Sequence, residues 1–305
     1  MFKFKAYRNE LARNGLVYSR ANRVRKWNTV QIVLLSLLCV LFVIYSFTLL
    51  YPIYWTVINS FKQPREFLLD VYGLPEKWMW ENYANAFTIE AKGKNIWDMF
   101  ISNIITTVPS LALILFSSSL AAYTLTKYSF PGSGAIYNFV LVAGMLPFSA
   151  SIPALYSFFQ ATGLYDNYLG IIFMMGGGFG YPFLLLYNFY LGISWTYAEA
   201  AQMDGANDYQ VFLRVMFPQS VPMLVAILIM IFMGVWGNFT DILLYLPSHP
   251  TLAVGTKLLS DSMESSSEWP ALFAALLVTT VPIGALYIWA NKMFFNMRVA
   301  TGIKG

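Results

Sequence analysis

The chain has 305 residues, of which 58% are hydrophobic and only 11% charged. A soluble domain carries about a quarter charged residues, so this composition excludes an ordinary water-exposed globule. The net charge of +4 is modest, but the basic residues cluster: Lys3, Lys5, Arg8, Arg13, Arg20, Arg23, Arg25 and Lys26 all precede the first apolar run.

Residues 1–29 are expected to form a cytoplasmic basic segment held at anionic lipid headgroups, which attract juxtamembrane Lys and Arg. Nucleic acid is not an expected partner. The apolar run that follows is too long for a signal-peptide core and lacks a small-x-small cleavage site. It contains Cys39, the single cysteine, so no intramolecular disulfide can form.

Uncharged apolar runs of about 18 residues or more predict bilayer spans. A bilayer core offers no water to unpaired backbone groups, so spans are helices or closed barrels. These runs far exceed the alternating strands of about 10 residues that build a barrel. The predicted fold is therefore all-α and polytopic, a transmembrane domain over residues 30–290. Six spans are predicted at about 30–58, 100–125, 135–160, 168–191, 221–246 and 270–290. With the N-terminus inside, most Lys and Arg fall on cytoplasmic segments, including Lys292, Arg298 and Lys304 of the tail 291–305. Both termini are then cytoplasmic. Pro109, Pro147, Pro153, Pro182, Pro222 and Pro282 punctuate the spans; each is either ordinary membrane-helix usage or a kink around a central path.

Two connections are longer than connection alone requires. The outer segment 61–98 carries Trp78, Trp80, Glu81, Asn82 and Tyr83. The inner segment 192–220 contains Thr196-Tyr197-Ala198-Glu199-Ala200-Ala201-Gln202-Met203-Asp204-Gly205-Ala206-Asn207-Asp208-Tyr209. Thr196 and Glu199 have the spacing of a capping box. Gly205 can take positive φ and end the first helix. Asn207 or Asp208 can cap a second helix through Phe212 and Arg214, and Pro218 limits its continuation. Such a helix–Gly–helix element suits either docking into a partner's groove or lying on the membrane.

In the fifth span, Trp236, Asn238, Thr240 and Asp241 are followed by Tyr245. An ionisable group at membrane depth faces protein or water, so Asp241 is either a pathway residue or one placed near the outer headgroups. Aromatic faces with amide and carboxylate groups suit a sugar. Tyr156 and Asn188 are further path candidates; with Asn103 and Gln160 they compete with a role as interhelical glue. Met145, Met174, Met175, Met230 and Met233 read as adaptable packing. His249, the only histidine, has no His/Cys cluster around it, so no metal site is expected. No Gly-x-x-x-x-Gly-Lys-Ser/Thr phosphate loop occurs, so no catalytic residue is assigned.

Glu199-Ala200-Ala201, Gly205 in Asp204-Gly205-Ala206, and Pro218 closing Val215-Met216-Phe217-Pro218 resemble the EAA signature of binding-protein-dependent ABC importer permeases. The usual Ile-x-Leu-Pro ending is replaced conservatively. Ser60-Phe61-Lys62, Glu81-Asn82-Tyr83, Phe100-Ile101-Ser102-Asn103, Met145-Leu146-Pro147, Pro153-Ala154-Leu155-Tyr156, Gly163-Leu164-Tyr165-Asp166-Asn167 and Thr301-Gly302-Ile303-Lys304-Gly305 are similar to the carbohydrate-uptake subgroup of the maltose permease type. The resemblance implies the type I importer permease fold, in a multi-pass bacterial inner-membrane subunit. It implies ATPase coupling through Glu199, Ala200, Ala201, Asp204, Gly205 and Pro218. It further implies a second permease chain, two ATP-binding subunits carrying ATP and Mg, an extracytoplasmic solute-binding protein and a sugar substrate. Residues alone leave open another solute, such as a peptide or polyol, and an ion-coupled secondary transporter.

Overall fold

The computed structural model describes residues 29–88, 90, 92–145, 152–266 and 268–300. The basic segment before Thr29, Pro147 within the third predicted span, and the similar tail motif 301–305 lie outside the described residues. The described regular elements are helices: α1 (Thr29–Ser60), α2 (Pro64–Leu69), α3 (Glu81–Thr88), α4 (Ile96–Lys127), α5 (Ser133–Met145), α6 (Ile152–Thr162), α7 (Tyr168–Met175), α8 (Tyr181–Gly192), α9 (Thr196–Met203), α10 (Asp208–Gln219), α11 (Val221–Trp236), α12 (Phe239–Tyr245), α13 (Leu252–Ser266) and α14 (Trp269–Ala300). They fall into two units, one ending at Tyr54 and one beginning at Trp55.

The first unit is the leading part of α1. Its side chains are apolar on every face and exposed, Leu34, Leu38, Phe42 and Leu49 among them. A helix apolar all round is one that lipid or protein must cover. Two of its hydroxyls bond to their own helix: Ser46 Oγ donates to the Phe42 carbonyl at 2.8 Å and Thr48 Oγ1 to that of Tyr45 at 2.7 Å. Cys39 is exposed on this helix.

The second unit is organised around α4. Asn95 caps it reciprocally with Asp98, and α7, α8, α11 and α13 pack on it. Its buried face includes a row of small polar residues: Ser102, Asn103, Thr106, Thr107, Ser110, Ser118 and Ser119. Small side chains let membrane helices approach closely. Thr106 and Ser110 donate back to carbonyls four residues earlier, at 2.9 and 2.6 Å, so their hydroxyls cost little in an apolar setting. Asn103 reaches furthest, bonding the Trp236 carbonyl at 3.4 Å and accepting the Leu252 amide at 3.1 Å. This is the interhelical glue expected of it.

Among the described residues, three helices are long and apolar enough to cross a membrane alone: α1, α4 and the Trp269–Trp289 part of α14. Two of the other predicted spans are interrupted. Residues 168–191 form α7 and α8, broken at the glycine-rich stretch 176–180. Gly176 there lies so close to α4 that a Cβ would collide with the Leu113 side chain. Residues 221–246 form α11 and α12, broken at Gly237, with Asn238 capping the second piece. Residues 135–160 contain α5 and α6 on either side of 146–151. The last helix runs on past 290 to Ala300.

The described part of segment 61–98 is built rather than loose. Asn82 Nδ2 donates to the carbonyls of Ser60 and Lys62, both at 2.8 Å. Lys62 is 0% exposed and its Nζ donates to the Asp70 carbonyl at 2.6 Å. Phe61 is ringed by Trp78, Trp80 and Tyr83, with centroids 4.8–5.1 Å away. The Asp70 carboxylate accepts the Tyr72 and Gly73 amides, each at 2.9 Å. These bonds, helped by nearby Lys62, hold it below its ordinary pKa.

Candidate coupling site and membrane path

Within residues 192–220 two helices are joined at Gly205. α9 opens differently from the expected capping box. Trp195, not Thr196, is the residue before the helix, because its carbonyl already accepts the Ala198 and Glu199 amides at 2.8 and 3.1 Å. Trp195 is held edge-on against Tyr128 at 5.9 Å. The Ser194 hydroxyl accepts the Thr196 amide at 3.3 Å, leaving Glu199 exposed rather than folded back.

The end of α9 is as expected and more specific. Gly205 has φ +85°. Its amide donates to the Gln202 carbonyl at 2.9 Å, and the Ala206 amide donates to that of Ala201 at 3.0 Å. These two bonds are the Schellman pair, which requires a left-handed residue at this point. Asn207 then starts α10 with a full capping box: its Oδ1 accepts the Gln210 amide at 2.9 Å and Gln210 Oε1 accepts the Asn207 amide at 3.0 Å. Gln202 Nε2 donates to Asp208 Oδ1 at 2.9 Å and closes the turn.

Pro218 does not end α10. A π-helical turn, Phe212–Met216, precedes it, and the Phe217 amide reaches back to the Phe212 carbonyl. The proline's missing donor falls where the ladder is already being reset, so the helix continues to Gln219. The break comes at Ser220, where α10 and α11 meet at 68°.

The element has two faces. Ala198, Val211, Phe212 and Met216 are buried in a core with Tyr123 of α4, Phe183, Leu186 and Tyr190 of α8, and Leu224 and Ile227 of α11. The opposite face exposes Tyr197, Glu199, Ala200, Gln202, Met203, Asp204, Gly205 and Tyr209. Met203 is 89% exposed and Tyr209 64%. Between the two helices lies a cavity of about 310 Å³, lined by Ala201, Asp204, Gly205, Ala206, Gln210, Arg214 and Val215. Of the six sequence-assigned residues, Glu199, Ala200, Asp204, Gly205 and Pro218 are exposed and Ala201 is half-buried. Tyr197, Met203 and Tyr209 share this exposed face; nothing marks them in the sequence except aromatic and thioether side chains in a polar stretch. Behind the element, burial pushes the Tyr128 hydroxyl up, Tyr123 pulls the other way, and Asp208 adds to the rise.

The path candidates do not converge on one point. Trp236 is buried, stacked on Phe232 at 5.4 Å and edge-on to Phe100 at 6.2 Å. Asn238 and Asp241 bond each other: Asn238 Nδ2 donates to Asp241 Oδ2 at 2.7 Å, and the Asp241 amide to Asn238 Oδ1 at 3.1 Å. They thus cap α12. Tyr245 is buried against Phe159 and Tyr156, and its hydroxyl donates to the Ile152 carbonyl at 3.3 Å. Asn188 is exposed on α8, its Nδ2 bonded to the Leu184 carbonyl at 2.8 Å.

Comparison with known proteins places this arrangement. Residues 83–296 match the family described as binding-protein-dependent transport system inner membrane component. The chain is 33% identical over 273 residues to the diacetylchitobiose uptake system permease protein NgcG of Streptomyces coelicolor, covering 86% of this chain and 85% of that one. It is 27% identical over 275 residues to the probable starch degradation products transport system permease protein AmyC of Thermoanaerobacterium thermosulfurigenes, covering 88% and 96%. Its fold is similar to a chain of a bacterial ABC transporter involved in the import of the acidic polysaccharide alginate. The TM-score is 0.72 at 22% identity, over 88% of this chain and 99% of that one. A helix–Gly–helix element with an exposed acidic face, carried on an all-helical apolar domain with this likeness, leads to one assignment: the chain belongs to the family of binding-protein-dependent transport system inner membrane components.

Proposed function

We propose that this membrane permease subunit forms half of the path for a sugar or oligosaccharide, and that its α9–α10 element is the seat of a separate ATP-hydrolysing subunit. The observation that carries this reading is the two-faced element itself. Its exposed face, Glu199 to Gly205 with Tyr197, Met203 and Tyr209, is free to meet a partner, while its buried face is continuous with the core of α4, α8 and α11. A partner that grips the first moves the second.

In this reading the chain crosses the membrane six times with both ends in the cytoplasm, two crossings being broken helices. Irregular backbone at membrane depth is tolerated where protein or a water-filled cavity surrounds it. The break at Gly237–Asn238, flanked by Trp236 and by Asp241, is where we place the approach to the path, with Tyr245, Tyr156 and Asn188 as further candidates. ATP and Mg are held by two partner subunits. A second, related permease completes the path, and a solute-binding protein meets the outer segment 61–98. The names of NgcG and AmyC, a diacetylchitobiose and a starch-product transporter, support a carbohydrate as the substrate.

Coupling is then differential binding. Nucleotide favours the closed pair of ATPase subunits and the loaded binding protein favours the outward-facing permease, so each shifts the same equilibrium. The test exploits Cys39, the only native cysteine. In a Cys39→Ser background, Ala200→Cys should cross-link to the co-purifying ATP-binding subunit, and the complex should import diacetylchitobiose or maltooligosaccharide only with ATP. Absence of any ATP-binding neighbour at Ala200 refutes the reading.

A further inference from the structure

A lever needs a fulcrum, and the junction between α10 and α11 is a weak place for one. The π turn at Phe212–Met216, Pro218 and Pro222 all lie within a few residues of the 68° bend at Ser220. Prolines and a π turn remove or displace ladder hydrogen bonds. A displacement imposed on α9 could be absorbed here as extra bending, and α11 would not follow.

Three side chains meet at this junction, each 0% exposed: Ser119 of α4, Tyr190 of α8 and Ser220. The Tyr190 hydroxyl donates to Ser220 Oγ at 3.0 Å. Ser119 Oγ lies 2.7 Å from the Tyr190 oxygen. Tyr190 has one proton and gives it to Ser220, so Ser119 is the donor in that pair. Ser220 Oγ in turn donates to the Phe217 carbonyl at 2.7 Å. The chain of donors runs one way, Ser119 to Tyr190 to Ser220 to the last turn of α10. Buried hydrogen bonds in a low dielectric are strong and costly to break.

We infer that Ser119, Tyr190 and Ser220 are positioning residues: a buried hydroxyl chain that locks the α10–α11 junction onto α4 and α8, so that motion of the coupling element is carried into the membrane helices. The inference rests on the coupling reading above. It assigns to three uncharged residues, none in the Glu199–Pro218 signature, the rigidity that coupling requires.

Spin labels at Arg214→Cys on α10 and Met230→Cys on α11, in a Cys39→Ser background, report the bend by electron–electron distance in the assembled complex. With the hydroxyl chain intact, the distance distribution stays the same when ATP is added. Tyr190→Phe removes the Tyr190 proton that Ser220 accepts. With ATP, the population at altered distance should rise by roughly 3- to 10-fold, the equilibrium equivalent of one net hydrogen bond. Without ATP the distribution should match wild type, which a merely structural lesion would not allow. Ser119→Ala should act in the same direction, the double variant should be no worse than Tyr190→Phe alone, and Ser119→Thr should restore the wild-type response. Ser118→Ala is the control, since Ser118 Oγ is buried one residue away without a hydrogen-bond partner. A Tyr190→Phe distance that ignores ATP, or a wild-type junction that itself bends on ATP, overturns the inference while leaving the coupling reading standing. A complex with no ATP-binding subunit overturns both.

Discussion

Replacing Gly205 isolates one physical quantity, because the residue sits in open space. A Cβ added there would meet no atom within 4 Å, yet φ is +85°. The cost of Gly205→Ala is therefore backbone strain alone, about 1–2 kcal/mol for an L-residue held in the left-handed region. Asn tolerates that region better, so Gly205→Asn should cost less. Gly205→Pro adds two further losses: φ is fixed near −65°, and the amide that donates to the Gln202 carbonyl at 2.9 Å disappears. The Schellman end of α9 then cannot form, and the exposed face from Glu199 to Asp204 loses its fixed relation to α10. One to two kcal/mol shifts a local equilibrium by about 5- to 30-fold. Gly205→Ala should thus weaken binding of the ATP-hydrolysing partner by a factor in that range, Gly205→Asn by less, and Gly205→Pro most severely, with membrane insertion unchanged in all three. Binding of the purified partner to the permease in detergent, read by calorimetry, gives the series directly. An affinity for Gly205→Pro equal to wild type would refute the reasoning, as would Asn ranking below Ala.

Three other expectations follow from the geometry. Asn103→Leu strands the Leu252 amide and the Trp236 carbonyl in a buried place, so the thermal midpoint of the complex should drop by the equivalent of about 2–6 kcal/mol, since each orphaned group costs about 1–3. Asn82→Leu leaves the Ser60 and Lys62 carbonyls without its two donors; protease sensitivity of the outer segment should rise while the α9–α10 element keeps its partner affinity. The Asp70 carboxyl, held low by the Gly73 and Tyr72 amides, should titrate below the ordinary aspartate range in a carbon NMR experiment. By linkage its contribution to the outer turn is complete above the unfolded pKa and fades as pH falls through the lower folded value, whereas Asp70→Asn should leave the turn insensitive to pH there.

Some of this was legible along the chain. Uncharged runs near the length of a bilayer core permit little but helices, since backbone groups in lipid must be paired within the segment, and α1, α4 and α14 lie where the first, second and last runs are. Gly205 and Asn207 were readable because their conformations are local: a glycine after a run of alanines, then an amide three residues before Gln210, stabilise one arrangement whatever surrounds them. Thr196 was misread because the start of α9 is set by Trp195, whose position depends on Tyr128 at a distance in sequence.

The broken helices could not be read in the same way. Hydropathy averages over a window and is blind to a Gly176 that exists to let α7 come against Leu113, or to an Asn238 that starts a new helix inside an apolar run. Nor does sequence separate a polar side chain that lines a path from one whose bonds are taken; Asn238 and Asp241 look alike until their mutual cap is seen. Composition and local propensity determined that this chain is helical, membrane-borne and equipped with a capped helix–Gly–helix element. Only the packing of distant segments decided which of its hydroxyls, amides and glycines meet, because a hydrogen bond between Ser119, Tyr190 and Ser220 is a property of three helices brought together and of no stretch of sequence within any one of them.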